Sequence, residues 1–115
     1  MKKIILLFCL FTSLPTIYSQ TEMELITATL MDYIEGTANG EPDRVKRAFH
    51  KDLNLYHVGN DTLVTWSGAG YTNRIQKGKK NNRIGKIVSI DYENNAATAK
   101  VTIDMPQRKR IYTDY

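Results

Sequence analysis

The chain predicts an α+β domain: two N-terminal helices followed by a meander of antiparallel strands. Three observations carry that prediction. Met23, Ile26, Leu30, Tyr33 and Ile34 recur at helical spacing on one face. After Phe49 the apolar period shortens from about 3.6 to about 2, with Leu53, Leu55 and His57 alternating against Asn54, Tyr56 and Val58. Between Ala96 and Met105 the residues Ala97, Ala99, Val101 and Ile103 alternate cleanly with Thr98, Lys100, Thr102 and Asp104, as in an antiparallel sheet with one wet face.

Each element has its own signals. Thr21-Glu22-Met23-Glu24 fits a capping box, in which the Thr hydroxyl and the Glu carboxylate satisfy free amide donors at the helix start. Gly36 and the Asn39-Gly40 pair end that helix, and Pro42 sits in the first turn of the next, where its missing N–H costs little. Val45, Ala48 and Phe49 form the buried stripe of the second helix; Arg44, Lys46 and Arg47 take its solvent side. Gly59-Asn60-Asp61 is a turn, Thr62 to Trp66 a second strand, and Ser67 to Ile75 a short helix weakened by Gly68 and Gly70. Gln76 to Asn82 is a polar, basic loop. Ile84 to Tyr92 and Ala96 to Met105 are strands joined by Glu93-Asn94-Asn95; Pro106 to Lys109 turns the chain, and Arg110 to Tyr115 begins another strand.

Residues 1–19 read as a secretory signal peptide, which leaves residues 20–115 as one domain. Met1-Lys2-Lys3 is a short positive segment. The apolar run from Ile4 to Leu14 falls short of the roughly 20 residues a membrane span needs. Pro15 breaks the run, and Ser19 before Gln20 offers a cleavage point. The expected location is secreted or periplasmic, with no stable membrane insertion after cleavage. Cys9, the single cysteine, lies inside the apolar run rather than after a small residue at its end, which argues against lipidation. Its removal leaves no disulfide and no thiol nucleophile. Loss of Lys2 and Lys3 leaves 14 of the 16 basic residues against 12 acidic ones, a net charge near +2.

Tyr33-Ile34-Glu35-Gly36, Ala48-Phe49-His50-Lys51-Asp52, Ile84-Gly85-Lys86-Ile87, Ser89-Ile90-Asp91, Ala96 to Val101 and Tyr112-Thr113-Asp114-Tyr115 occur in an order that resembles the nuclear transport factor 2-like superfamily. The branch they most resemble is the lumazine-binding one. The resemblance spans Met23 to Tyr115. It implies a cystatin-like cone, helices packed on a curved antiparallel sheet around an apolar pocket, and a homodimer formed through the outer sheet face. Relatives continue past the Tyr112-Thr113-Asp114-Tyr115 strand into a last strand. Its lack here is read as a truncated product or a fragment.

The same resemblance gives the sharpest chemical hypothesis. In the ketosteroid isomerase branch, a tyrosine on the first helix donates to a developing enolate and a carboxylate on the first strand moves the proton. Laid on this chain, those positions are Tyr33 and His57, and histidine can serve as a base near neutral pH. His57 shares strand parity with Leu53 and Leu55, which points it inward. Asp104 is the nearest candidate for the second acid, but its parity places it outside. The plain alternative makes Tyr33 and His57 ordinary pocket residues.

Trp66, Tyr56, Tyr71 and Tyr92 are either core aromatics or the walls of a flat-ligand pocket. The ligand-binding candidates are Tyr33, Leu55, His57, Trp66 and Tyr71. His50 and Asp52 bracket a corner, where hydrogen bonds to turn backbone explain them better than a metal site, and no metal or cofactor is expected. Lys77, Lys79, Lys80 and Arg83 make one basic cluster and Arg108, Lys109 and Arg110 another; both are short, lack a nucleic-acid-binding module and read as solvated. Asn60-Asp61-Thr62 is formally a glycan acceptor, expected to be silent in a bacterial-type export setting. P-loop, dinucleotide-fingerprint and nucleophile-elbow motifs are absent. The leading expectation is an exported, non-catalytic module for a small apolar or aromatic ligand. The alternatives are an isomerase, dehydratase or cyclase using His57 and Tyr33, and an interaction protein whose pocket is filled by its own side chains.

Overall fold

The computed structural model describes residues 20–115, so the signal-peptide assignment to residues 1–19 lies outside the described residues. Helix α1 (Glu22–Asn39) leads into α2 (Pro42–Ala48), followed by strands β1 (Asn54–Gly59) and β2 (Thr62–Ser67) and the single-turn helix α3 (Gly68–Thr72). Strands β3 (Ile84–Glu93) and β4 (Ala96–Met105), a 3-10 turn at Pro106–Arg108, and β5 (Arg110–Asp114) complete the described chain. The architecture is α+β with N-terminal helices on an open antiparallel sheet, as the periodicities predict. The sheet comes in two pieces rather than one curved surface: β1 pairs with β2, and β3, β4 and β5 pair in that order.

The capping box forms as read: the Thr21 N–H donates to Glu24 Oε2 at 2.8 Å and the Glu24 N–H to Thr21 Oγ1 at 3.2 Å. Gly36 does not end α1, which runs to Asn39 and closes on Gly40 with φ +68°. Only a residue without a side chain adopts that left-handed conformation cheaply. It also fits the site, because a Cβ on Gly40 would meet Lys79 O at 2.5 Å. The loop after α3 is pinned there, with the Gly78 N–H donating to Gly40 O and the Asn81 N–H to Ala38 O, both at 2.7 Å. The β1–β2 turn carries φ 50° at Asn60 and 57° at Asp61, the paired left-handed conformation that hairpins favour and short Asn and Asp side chains tolerate.

Ile34, Val101, Ile103 and Met105 form the buried core, with Leu30, Met31, Tyr33 and Ile87 packed around it. The β4 alternation in burial holds from Lys100 onward, whereas Ala97 near the far end is exposed. Helix α1 can lie this close to β3 because Gly85 has no Cβ; one built there would overlap the Ile34 side chain. Gly36 does the same service against α2, where an added Cβ would sit 2.7 Å from Val45 Cγ2. Met23, at the start of the predicted stripe, is 40% exposed and stands outside the core cluster.

Arg44 differs from the sequence expectation. It is half-buried between the helices, its Nε donating to Asp32 Oδ1 at 2.7 Å and its Nη1 to Glu41 Oε2 at 3.2 Å, with Glu35 on Nη2. Arg47 joins from the other side, Nη2 donating to Asp32 Oδ1 at 3.1 Å. Hydrogen bonding from Arg44, supported by Arg47, holds the Asp32 carboxyl below the usual range. Packing α2 across α1 converts a nominal solvent face into an inter-helix seam.

Gly36→Ala tests the close approach of the two helices. In an ordinary helix interior alanine gains about 1 kcal/mol over glycine. Here it should lower stability by about 1–3 kcal/mol through overpacking against Val45, read as a lower urea midpoint with an unchanged slope. A raised midpoint would mean α2 yields freely.

Candidate functional site

The inner faces of the two sheets and the sheet-facing side of α1 enclose a solvent-open cavity of about 570 Å³. Register explains the strand contribution. Directly opposed residues on antiparallel strands share a face. Leu55 opposes Trp66 and His57 opposes Val64, which puts Leu55, His57 and Trp66 on one surface. On the other sheet Val101 opposes Asp114 and Ile103 opposes Tyr112, so Asp114 and Tyr112 share the buried face of β4. Tyr33 comes from α1 beside the anchored Ile34, and Tyr71 from α3, whose start is capped by Ser67 Oγ accepting the Gly70 N–H at 3.0 Å.

All five sequence-predicted residues, Tyr33, Leu55, His57, Trp66 and Tyr71, line this one cavity. Their rings form a continuous run through Phe49. Tyr33 stacks on Phe49 at 5.7 Å between centroids, Phe49 meets Tyr71 at 5.9 Å, Tyr71 meets Trp66 at 6.0 Å, and His57 stands edge-on to Trp66 at 5.1 Å. Such offset and edge contacts fix ring orientations beyond what burial alone does. Tyr56 borders the cavity, though its ring is 63% exposed; Tyr92 lies exposed on β3 and takes no part in the lining.

Asp114 is the carboxylate of the site. The Tyr33 hydroxyl donates to Asp114 Oδ2 at 2.7 Å, across 81 positions of sequence. Burial, then the neighbouring Tyr71 and the Asp114 charge, push the Tyr33 hydroxyl far above the ordinary tyrosine range, with Arg83 acting in the opposite direction. Tyr33 therefore stays protonated, its hydrogen committed to Asp114. Asp104 opposes the exposed Ile111 on the outer face, as its parity predicts. The signal that locates Asp114 is its parity with Tyr112 in the last strand.

Arginines missed as site residues complete the wall. Arg74 lies over the Trp66 ring, its guanidinium carbon 4.4 Å from the centroid. Arg83 Nη1 donates to the Tyr71 hydroxyl oxygen at 3.2 Å. Lys79 and Arg108 also line the cavity, so part of the loop read as merely solvated belongs to the site. At the other corner His50 Nδ1 accepts the Asp52 N–H at 3.2 Å, the turn role expected of it. Among the described residues no group of three or more His, Cys, Asp or Glu side chains converges on a point where a metal could sit. No helix among them is long and apolar enough to cross a membrane.

Residues 21–115 match the family described as "Putative lumazine-binding". The fold is similar to the crystal structure of an NTF-2 like protein of unknown function from Silicibacter pomeroyi, at 17% identity over 76% of this chain and 77% of that one, with a TM-score of 0.63. It is similar also to an NTF2-like protein of unknown function from Shewanella baltica, at 21% identity over 76% and 75% of the two chains, with a TM-score of 0.64. At these identities the likeness is one of fold. None of the curated proteins matches the chain.

Tyr33→Phe should cost about 1.5–3 kcal/mol, the range for a hydrogen bond to a charged group, because it leaves the half-buried Asp114 carboxylate without its donor. Denaturant unfolding measures that loss. Spectrophotometric titration should show Tyr33 ionising later than an ordinary tyrosine, a contribution lost in the variant; equal stability and an unchanged titration would contradict the assignment.

Proposed function

The chain belongs to the lumazine-binding family of the nuclear transport factor 2-like superfamily, and on that premise we propose that it is an exported, non-catalytic module that binds a small planar ligand. The observation that carries the reading is the aromatic wall of Tyr71, Trp66 and His57 facing an open cavity of about 570 Å³. That size suits a molecule of two or three fused rings, since small-molecule pockets run from about 300 to 1,000 Å³. Leu55 supplies apolar surface beside Trp66, and the Tyr33–Asp114 pair offers polar atoms at the floor. The family's name makes a pteridine-like heterocycle a natural first probe; the residues themselves favour flatness and size over any one ring.

The catalytic alternative ranks below binding for a specific reason. An oxyanion donor needs a hydrogen free to reach the reacting oxygen. The Tyr33 hydrogen is already given to the Asp114 carboxylate, so it is not free to reach a substrate oxygen. The charge and apolar pattern of residues 1–19 supports the export part of this reading. Dimerisation through the outer sheet face finds support in the exposed Ile84, Val88 and Ile111.

Trp66 is the single tryptophan, so intrinsic fluorescence reports from inside the site. Titration with planar two-ring heterocycles, lumazine among them, should give saturable quenching. Tyr71→Ala should weaken the best of them about tenfold, the effect of losing roughly 1.4 kcal/mol of stacking. Quenching that never saturates, or that is indifferent to Tyr71, would defeat the binding proposal.

A further inference from the structure

We infer that the ligand of this cavity is an aromatic anion, a planar ring system bearing a carboxylate or phosphate group that the guanidinium groups of Arg74 and Arg83 receive. The inference rests on the binding reading above and adds the charge of what is bound.

Charge distribution is the first argument. The cavity lining holds four cations, Arg74, Lys79, Arg83 and Arg108, against one carboxylate, Asp114, a net of +3. Residues 20–115 as a whole carry a net charge near +2, so everything outside the cavity sums to about −1. The positive excess of the protein is thus concentrated at this one opening.

The second argument is what these cations lack. Every salt bridge among the described residues lies on α1 and α2 or at the His50–Asp52 corner. Arg44 is matched by three carboxylates there. Arg74, Lys79, Arg83 and Arg108 have no acidic partner among the described residues, and Asp114 already receives a hydrogen bond from Tyr33. Like charges gathered without counter-charge repel one another, and an anion at the mouth relieves that repulsion.

The third argument is position. Arg74 is held against the Trp66 face and Arg83 is tied to the Tyr71 hydroxyl, so both guanidiniums are oriented by the rings proposed to stack the ligand. Planar forks placed this way match the two oxygens of a carboxylate or phosphate, with little side-chain freedom left to lose. Lys79 stands in a loop clipped to the end of α1 by the Gly78–Gly40 and Asn81–Ala38 backbone hydrogen bonds.

Calorimetric titration of the protein with 2-naphthoate and its neutral isostere 2-naphthamide tests the inference. Naphthoate should bind at least about tenfold more tightly at low ionic strength, with the advantage shrinking as salt is added. The double variant Arg74→Gln/Arg83→Gln should reduce that preference to about threefold or less. Lys79→Gln/Arg108→Gln, which alters only exposed side chains, should reduce it in part, while Lys46→Gln on α2 should leave it intact. Equal affinities for the two probes, or a preference that survives the Arg74→Gln/Arg83→Gln variant, would overturn the inference and leave the binding reading standing. Failure of both compounds to bind would overturn both.

Discussion

The hydrogen bond from Tyr33 to Asp114 is the constraint around which the site is organised. It joins the first helix to the last described strand at 2.7 Å, in a part-buried position beside the aromatic run. A half-buried carboxylate is steadied by a donor aimed at it, and Tyr33 is the donor that α1 brings. For the bond to form, α1 must lie close on the sheet, which needs the missing Cβ of Gly85 under Ile34. The register of β5 must also turn Asp114 inward, which pairing with Val101 ensures. Helix placement, strand register and the polarity of the cavity floor are therefore parts of one arrangement.

Electrostatics divides the described chain into two regions. Between α1 and α2 the positive groups are satisfied: Arg44 and Arg47 share Asp32, and Glu35 and Glu41 take the remaining guanidinium nitrogens of Arg44. Those contacts settle how the helices cross. Around the cavity the cations lean on rings and hydroxyls instead, Arg74 on Trp66 and Arg83 on Tyr71. Charge paired in the first region serves the fold; charge left unmatched in the second is available to a ligand.

Most of the element order is legible in sequence because each element states its period and its ends. Strand β4 runs from Ala96 to Met105 as its alternation indicates, and the Thr21–Glu24 box starts α1 as predicted. Legibility fails where a residue's role depends on a distant partner. Gly36 carries the mark of a helix stop, yet its purpose is to admit Val45. Arg44 has the pattern of a solvent-side residue until α2 is laid against the acidic side of α1. Tyr33, Leu55, His57, Trp66 and Tyr71 can be gathered at one cavity from parity and resemblance. Asp114 cannot be chosen over Asp104 until the last strand's register is known, and Arg74 and Arg83 look like surface charge until the loop is pinned to Gly40. The division of the sheet into two pieces leaves no mark in the alternation pattern.

The proposed function requires a cavity preformed to hold a flat molecule against the Trp66–Tyr71 wall. A crystal structure of the protein with 2-naphthamide, which carries no charge to be drawn by the rim, addresses it most directly. The ring system should lie against Trp66 and Tyr71, with the Tyr33–Asp114 hydrogen bond unbroken beneath it. Density for the probe elsewhere, or a cavity closed by the inward collapse of Trp66, would contradict it.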